Sequence, residues 1–140
     1  MLSISRVAEI HARIPNTHLV MHGASSVPQD LIQIINDNGG QIPETYGVPV
    51  ADIQKAIKSG VRKVNVDTDL RLAATAAVRQ VLRENPEAFD PRLYNKAAQK
   101  AMQKICEERF ESFGCAGRAS DIQVKSMADM VSFYTNKEGA

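Results

Sequence analysis

The chain has little of what several protein classes require. It has no tryptophan, few aromatic residues (5%) and two cysteines among 140 residues. Cys106 and Cys115 make no disulfide framework and lack the spacing of a metal-binding pair. Cys106 falls on the apolar face of a predicted helix, where we expect a small buried thiol. Together these features favour a reducing cytoplasm.

An excess of charge of either sign is also missing. The formal net charge is +1, with 24% charged and 44% hydrophobic residues. This balance gives no reason to expect nucleic acid or a membrane as a partner. No apolar run approaches the length of a membrane span, and residues 1–15 do not resemble a secretion signal. The sequence therefore predicts a soluble, globular, cytoplasmic domain.

What is present is an alternation of helical and strand patterns. Two continuous apolar runs predict buried parallel strands, at Thr17–Met21 and Val61–Val66. Helical periodicity and breakers predict helices over Ile4–Ile14, Pro28–Asn38, Pro49–Ser59, Asp67 to about Glu84, Pro91–Phe113 and Met127–Tyr134. The expected inward faces include Leu70 and Leu82 in the fourth helix and Leu93 in the fifth. A strand, a helical crossover and a second strand form a βαβ unit with parallel pairing.

Two strands are too few for an independent sheet, and both have open edges. A complete TIM (β/α)₈ barrel takes about 250 residues. We therefore expect an α/β chain that forms the C-terminal part of such a barrel, with the barrel incomplete in this chain. Residues 1–140 are predicted to be one partial barrel domain. Within it, 1–84 hold the last two strands with their helices, and 85–140 form a C-terminal helical extension.

Polar residues follow both predicted strands, where parallel α/β proteins hold their ligands. His22 ends the first strand and is compatible either with a zinc ligand or with a hydrogen-bonded structural residue. The chain's other histidines, His11 on a helix and His18 at the strand's start, do not converge on it. The sequence therefore does not close a zinc site by itself.

The loop Gly23-Ala24-Ser25 has two readings. Its backbone N–H groups and the Ser25 hydroxyl suit a bound anion, and the same groups suit a turn with helix capping. The second strand end raises the same question, because Asp67, Thr68 and Asp69 also suit a capping cluster. We expect capping to explain Asp69.

Capping does not explain Asn65, because an amide on a buried strand needs a partner. If the site binds a sugar phosphate, Thr68 and nearby amides suit the phosphate, whereas Asp67 suits a sugar hydroxyl. Arg71 and Arg92 are either solvated surface charges or clamps on a second phosphate.

Ordered motifs in the chain resemble a known family. LVMHGAS, KVNVDTDLR and FDPR are similar to the C-terminal part of class II (zinc-dependent) fructose-bisphosphate aldolases. SSVPQD, ETYGVPV and GVRKVNVDTDLRLA resemble the subtype found with Calvin-cycle genes, and the similarity covers nearly the whole chain. It implies reversible cleavage of fructose 1,6-bisphosphate to dihydroxyacetone phosphate and glyceraldehyde 3-phosphate in glycolysis, gluconeogenesis and the Calvin cycle.

The resemblance assigns roles at the first strand end. His22 matches the last of three zinc-binding histidines. Gly23 and Ser25 match the loop that holds the phosphate of dihydroxyacetone phosphate, and the Gly23 carbonyl matches a ligand of a monovalent cation. The family also needs an aspartate acid/base and two further histidines, which nothing before residue 22 supplies. Zinc is therefore the implied cofactor, with an incomplete site in this chain.

The resemblance also assigns roles after the second strand. Asn65 matches the amide that steadies the enediolate, Asp67 the carboxylate that orients the sugar, and Thr68 a phosphate contact. Arg71 and Arg92 match residues that bind the distal phosphate, the latter across a dimer interface. Tagatose-bisphosphate aldolases tend to carry Ala-Thr-Glu at 67–69, which favours fructose bisphosphate as the substrate.

Three hypotheses follow for the chain as a whole. In the first, it is the C-terminal half of an aldolase and acts on its phosphorylated sugar only when an N-terminal half completes the barrel. In the second, it is an inactive remnant that binds phosphosugars or associates with an aldolase. In the third, it is a structural module that forms a homo-oligomer, namely a dimer that covers the strand edges of both copies.

Overall fold

In the computed structural model, which describes residues 2–136, two short parallel strands alternate with helices. The elements are α1 (Ile4–Arg13), β1 (Leu19–Met21), α2 (Gln29–Asp37), α3 (Val50–Lys58), β2 (Val61–Val64), α4 (Thr68–Glu84), α5 (Pro91–Ser112) and α6 (Met127–Thr135). A single 3₁₀ turn at Ala119–Asp121, which the sequence patterns did not predict, precedes α6. Within the described range, no helix combines the length and apolarity needed to cross a membrane.

The helix bounds agree with the predicted ones to within one or two residues, because local sequence determines them. Ser3 accepts a hydrogen bond from the Arg6 amide and starts α1. Asp90 accepts one from the Arg92 amide, with proline at the first position of α5. Both are side chains that satisfy amide groups left unpaired at a helix start.

The two strands pair in parallel, with Leu19 opposite Val61 and Met21 opposite Val64. Both are shorter than predicted, since β1 starts at Leu19 rather than Thr17 and β2 ends at Val64 rather than Val66. One more ladder bond joins the Asn65 amide to the Met21 carbonyl at 3.0 Å. The chain therefore leaves both strands side by side, at the same edge of the sheet.

The core consists of two clusters of buried side chains. One lies between the sheet and α3 and comprises Met21, Ala24, Ile53, Ala56 and Val61. The other lies between α2 and α4 and comprises Val27, Ile32, Ile35, Leu72 and Ala76. The loop that follows β1 contributes Ala24 to the first cluster and Val27 to the second, so it is fixed by packing on both sides.

Several predictions of burial are wrong. The apolar run at β1 was expected to be covered on both faces, yet Val20 is 47% exposed, because among the described residues helices cover one face of the sheet. In α4 the buried side is that of Leu72, Ala73 and Ala76, and Leu82 is exposed. Leu93 is likewise exposed.

The long pair of α4 and α5 forms the most extensive contact between two elements of the described chain. Small side chains, Ala73 on α4 and Ala98 on α5, are buried and allow a close approach. Cys106 is only partly buried on α5, so the expected fully buried thiol is not observed. The parallel strands with their helices are compatible with part of a TIM barrel, and the division at residues 84 and 85 stays a prediction.

Candidate functional site

The side chains of His22 and Asn65 meet where β1 and β2 end. The Asn65 Nδ2 lies 2.7 Å from the His22 Nδ1 and 3.5 Å from its Nε2. An amide nitrogen donates, so the closer ring nitrogen accepts, and a neutral imidazole then carries its proton on Nε2. Asn65 thus has the partner that its place at a strand end requires.

Lys63 fixes the orientation of the Asn65 amide from the other side. Its Nζ donates to the Asn65 Oδ1 at 2.6 Å. Because the amide oxygen is held by the ammonium group, the amide nitrogen is directed towards His22. The three side chains form one chain of hydrogen bonds across the sheet edge.

Ser25 joins the loop after β1 to the first turn of α4. Its Oγ accepts hydrogen bonds from the Asp67 amide at 3.1 Å and the Thr68 amide at 3.0 Å. Ser25 therefore caps a helix, but this helix is α4 and not α2, the next helix in sequence. The hydroxyl proton stays available to a ligand. Gly23, exposed beside it, has φ +62°, a conformation that favours glycine.

The structure places the other predicted site residues in different environments. The Asp67 side chain does not cap α4 and pairs with the exposed Arg71 at 3.0 Å. Thr68 begins α4 and is exposed. Arg92 forms a bidentate pair with Asp90 at the start of α5, and no described contact brings it to the other residues of the site.

Asp69 is the main correction at this site. We expected it to cap its own helix, but its carboxylate accepts from the Val27 amide at 2.8 Å, the Ser26 amide at 3.1 Å and the Ser26 Oγ at 2.9 Å. It is fully buried. Arg109 of α5 donates to the same carboxylate at 3.0 Å and to the Ser26 Oγ at 2.8 Å.

The protonation of Asp69 is determined by these contacts. Burial alone raises the pKa of a carboxyl group, but the amides of Val27 and Ser26, the Arg109 guanidinium and the Ser26 hydroxyl together hold the pKa of Asp69 below its ordinary value. The ionised carboxylate is therefore the form that the fold stabilises. Apart from these residues, at the start of α5, hydrogen bonds from Arg92 lower the pKa of Asp90.

Gly47 is a further residue that the sequence analysis missed. A Cβ at this position would overlap the Ser25 carbonyl oxygen and lie 2.7 Å from the Ser26 carbonyl carbon. The neighbouring Val48 amide donates to the same Ser25 oxygen at 3.0 Å. The segment before α3 thus packs directly against the loop after β1, a closeness that only a glycine allows.

A metal ion would find one ligand here. Among residues 2–136, no three His, Cys, Asp or Glu side chains converge in an arrangement that holds a metal. His22 could serve as one metal ligand, because its ring is exposed directly after β1. The described residues do not by themselves fit a catalytic zinc ion, which usually needs three protein ligands.

The arrangement as a whole is suited to a small anion with polar substituents. The N-terminus of α4 favours negative charge, Ser25 and Thr68 supply hydroxyl donors, and Asn65 supplies an amide. His22, Ser25, Asn65, Asp67 and Thr68 lie at one edge of the sheet, linked by the bonds described above. Sequence reasoning brought these residues together correctly, because parallel strands end at the same edge.

Comparison with known proteins shows which family this chain resembles. Residues 1–118 match the family described as Fructose-bisphosphate aldolase class-II. The chain is 61% identical over 138 residues to a fructose-bisphosphate aldolase of Nostoc sp., covering 99% of this chain and 38% of that protein. It is 59% identical over 137 residues to that of Pseudomonas aeruginosa, covering 98% and 39%. The chain spans about two fifths of the length of the curated relatives it matches.

Proposed function

The chain belongs to the class II fructose-bisphosphate aldolase family, and we propose that it supplies the phosphate site and one zinc ligand of an aldolase. The reaction is the reversible cleavage of fructose 1,6-bisphosphate to dihydroxyacetone phosphate and glyceraldehyde 3-phosphate, as in glycolysis, gluconeogenesis and the Calvin cycle. The observation that carries the proposal is the direct contact of His22 with Asn65 at 2.7 Å, beside the Ser25 bridge to α4.

The phosphate of dihydroxyacetone phosphate is bound between the loop after β1 and the start of α4. The Ser25 Oγ accepts from the Asp67 and Thr68 amides at the start of α4 and directs its own proton outward to a phosphate oxygen. Gly23, exposed and in a left-handed conformation, offers its amide without a side chain in the way, and its carbonyl oxygen binds a monovalent cation. The Thr68 hydroxyl and the positive end of the α4 dipole complete the anion site.

The carbon chain of the sugar lies over the sheet edge. The Asn65 amide donates a hydrogen bond to the oxygen that gains negative charge as the carbon–carbon bond breaks. Asp67 accepts a bond from a sugar hydroxyl, and Arg71, beside it, binds the distal phosphate together with Arg92 of a neighbouring copy. Zinc, when bound, supplies Lewis-acid polarisation of the ketone, and His22 is the ligand that this chain contributes.

The remaining zinc ligands and the acid/base aspartate come from an N-terminal aldolase portion that completes the barrel. Two observations support this. The exposed Val20 on β1 needs a cover, and the two strands leave open hydrogen-bonding edges that neighbouring strands fill. The assembled enzyme works in the cytoplasm and forms oligomers.

Co-expression tests the proposal. The chain is produced together with the portion of the Nostoc sp. relative that precedes the matched region, and the purified complex is assayed for cleavage of fructose 1,6-bisphosphate with and without zinc. We expect zinc-dependent cleavage that His22→Ala abolishes. His18→Ala is the matched control, since His18 is exposed just before β1, and it should retain activity. A correctly assembled complex that does not cleave the sugar would contradict the proposal.

A second function is favoured by one observation, namely that no three His, Cys, Asp or Glu side chains of the described residues converge to hold a metal. In this alternative the chain binds phosphosugars, or associates with itself or an aldolase, without catalysis. The co-expressed complex distinguishes the aldolase from the non-catalytic module. A non-catalytic module would bind dihydroxyacetone phosphate in a titration but would not cleave fructose 1,6-bisphosphate at any zinc concentration.

A further inference from the structure

The loop after β1 has a strained conformation at Val27. This residue has φ +54° and is the one non-glycine residue in the described range with positive φ. A β-branched side chain rarely adopts this region, and the backbone remains there only where surrounding contacts hold it. Because Ser25 of the proposed phosphate site lies two residues earlier, whatever holds Val27 also determines the shape of that site.

Asp69 holds this part of the loop. One carboxylate oxygen accepts from the Val27 amide at 2.8 Å, and the other accepts from the Ser26 amide at 3.1 Å. In return, Ser25 accepts from the amides of Asp67 and Thr68. The loop and the first turn of α4 are thus joined in both directions.

Holding the loop with the Asp69 carboxylate places a buried negative charge close to the proposed phosphate site. Asp69 is 0% exposed, so water does not screen its charge, and an unpaired carboxylate there would repel a phosphate. Arg109 lies 3.0 Å from it and is 13% exposed in its side chain. The guanidinium group arrives from α5, 40 residues along the chain, and also donates to the Ser26 Oγ.

We propose that Arg109 is a positioning residue for phosphate binding. It neutralises Asp69 and, through the closed set of bonds with Asp69 and Ser26, keeps Ser25 and the Val27 backbone in the geometry that receives the anion. It acts through these residues and does not itself contact the substrate. The identity of the bound phosphate rests on the proposed aldolase function, whereas the effect on the loop does not.

Kinetics of the co-expressed complex provide the first test. We expect Arg109→Met to raise KM for fructose 1,6-bisphosphate about tenfold, with kcat within about twofold of the wild type. Arg109→Lys should recover part of the loss, because it restores the charge but not the guanidinium geometry. Lys104→Met is the matched control, since it removes an exposed cation from the same helix, and it should leave both parameters unchanged. An unchanged KM in Arg109→Met would overturn the proposal.

Amide hydrogen exchange in the 140-residue chain tests the proposal independently of activity. We expect Arg109→Met to speed exchange of the Ser26 and Val27 amides at least about tenfold, with the amides of α2 unaffected and Lys104→Met without effect. Equal acceleration throughout the chain would show a merely structural role and overturn the proposal. So would fast exchange at Ser26 and Val27 in the wild type. If the wild-type complex does not cleave the sugar, the proposed function fails and exchange still decides the role of Arg109.

Discussion

The Asn65 side-chain nitrogen lies 2.7 Å from the Nδ1 of His22. The lone pair on Nδ1 of the proposed metal ligand therefore accepts a proton from the proposed catalytic amide. If His22 held a metal ion through Nδ1, the metal would take the lone pair that now accepts the amide proton. Metal binding and this hydrogen bond therefore exclude each other at Nδ1. An amide released by metal binding is free to face a substrate oxygen, which links the two proposed roles.

Asn65→Ala separates these roles. We expect kcat of the co-expressed complex to fall about 100-fold, the usual cost of losing one donor to a developing oxyanion, with KM nearly unchanged. Zinc should bind at least as tightly as in the wild type, because His22 loses its competitor. Steady-state kinetics and zinc titration measure both quantities. An equal loss in kcat and in substrate affinity would argue against a role in the transition state.

Ser25→Ala removes the bridge between the loop and α4. The Asp67 and Thr68 amides lose their acceptor, so we expect the free energy of unfolding to fall by about 1 kcal/mol, as for a lost helix cap. The affinity for dihydroxyacetone phosphate should fall more than tenfold, about the value of one charge-assisted bond. Calorimetric titration measures this affinity. Ser59→Ala is the control, because it removes a hydroxyl that donates to the Lys55 carbonyl at the end of α3. The affinity of this variant for dihydroxyacetone phosphate should be unchanged.

Gly47→Ala tests whether the segment before α3 shapes the phosphate loop. The added methyl group would overlap the Ser25 carbonyl oxygen, and backbone atoms on both sides must shift to accommodate it. We expect KM to rise with little change in kcat. Gly114→Ala is the control, because its φ of +74° strains the chain while its Cβ meets open space. A similar KM in the two variants would refute a direct effect of Gly47 on the loop.

Asp69→Asn tests the buried ion pair. Removing the charge leaves Arg109 without its carboxylate and places an amide nitrogen among donors, so we expect a loss of about 3 kcal/mol in the free energy of unfolding. Urea denaturation at neutral pH measures it. The pH dependence gives a second readout, because the pKa of Asp69 is lower in the folded than in the unfolded chain.

For a carboxyl group with a lowered folded pKa, the stabilisation is fully present above the unfolded value of about 3.9. It is lost as pH falls through the lower folded value. The wild type should therefore lose stability below about pH 4, and Asp69→Asn should lose less over the same range. If the free energy of unfolding fell equally with decreasing pH in the two proteins, this role of Asp69 would be contradicted.

The parts of the fold that the sequence predicted are those that depend on local chemistry. Caps such as Ser3 and Asp90 determine where helices start. The approach of His22 to Asn65 follows from the parallel pairing of two apolar runs, because each residue comes directly after its strand. Neither inference needs knowledge of packing between helices.

The parts that it did not predict depend on tertiary contacts. Asp69 fits a capping pattern as well as any acid in a first helical turn, and only the packing of α5 on α4 brings Arg109 to it. The exposure of Val20 has the same origin, since an apolar strand pattern does not tell how many faces of the sheet this chain covers. The buried side of α4 differs from the predicted one because this helix packs against both α2 and α5.

The most direct test of the central claim is a crystal structure of the co-expressed complex with dihydroxyacetone phosphate. The account predicts phosphate oxygens within hydrogen-bond distance, about 3 Å, of the Ser25 and Thr68 hydroxyls, with the Asn65 amide turned to the ligand's oxygen and His22 on the metal. A phosphate bound away from the loop after β1, or a metal site without His22, would contradict it.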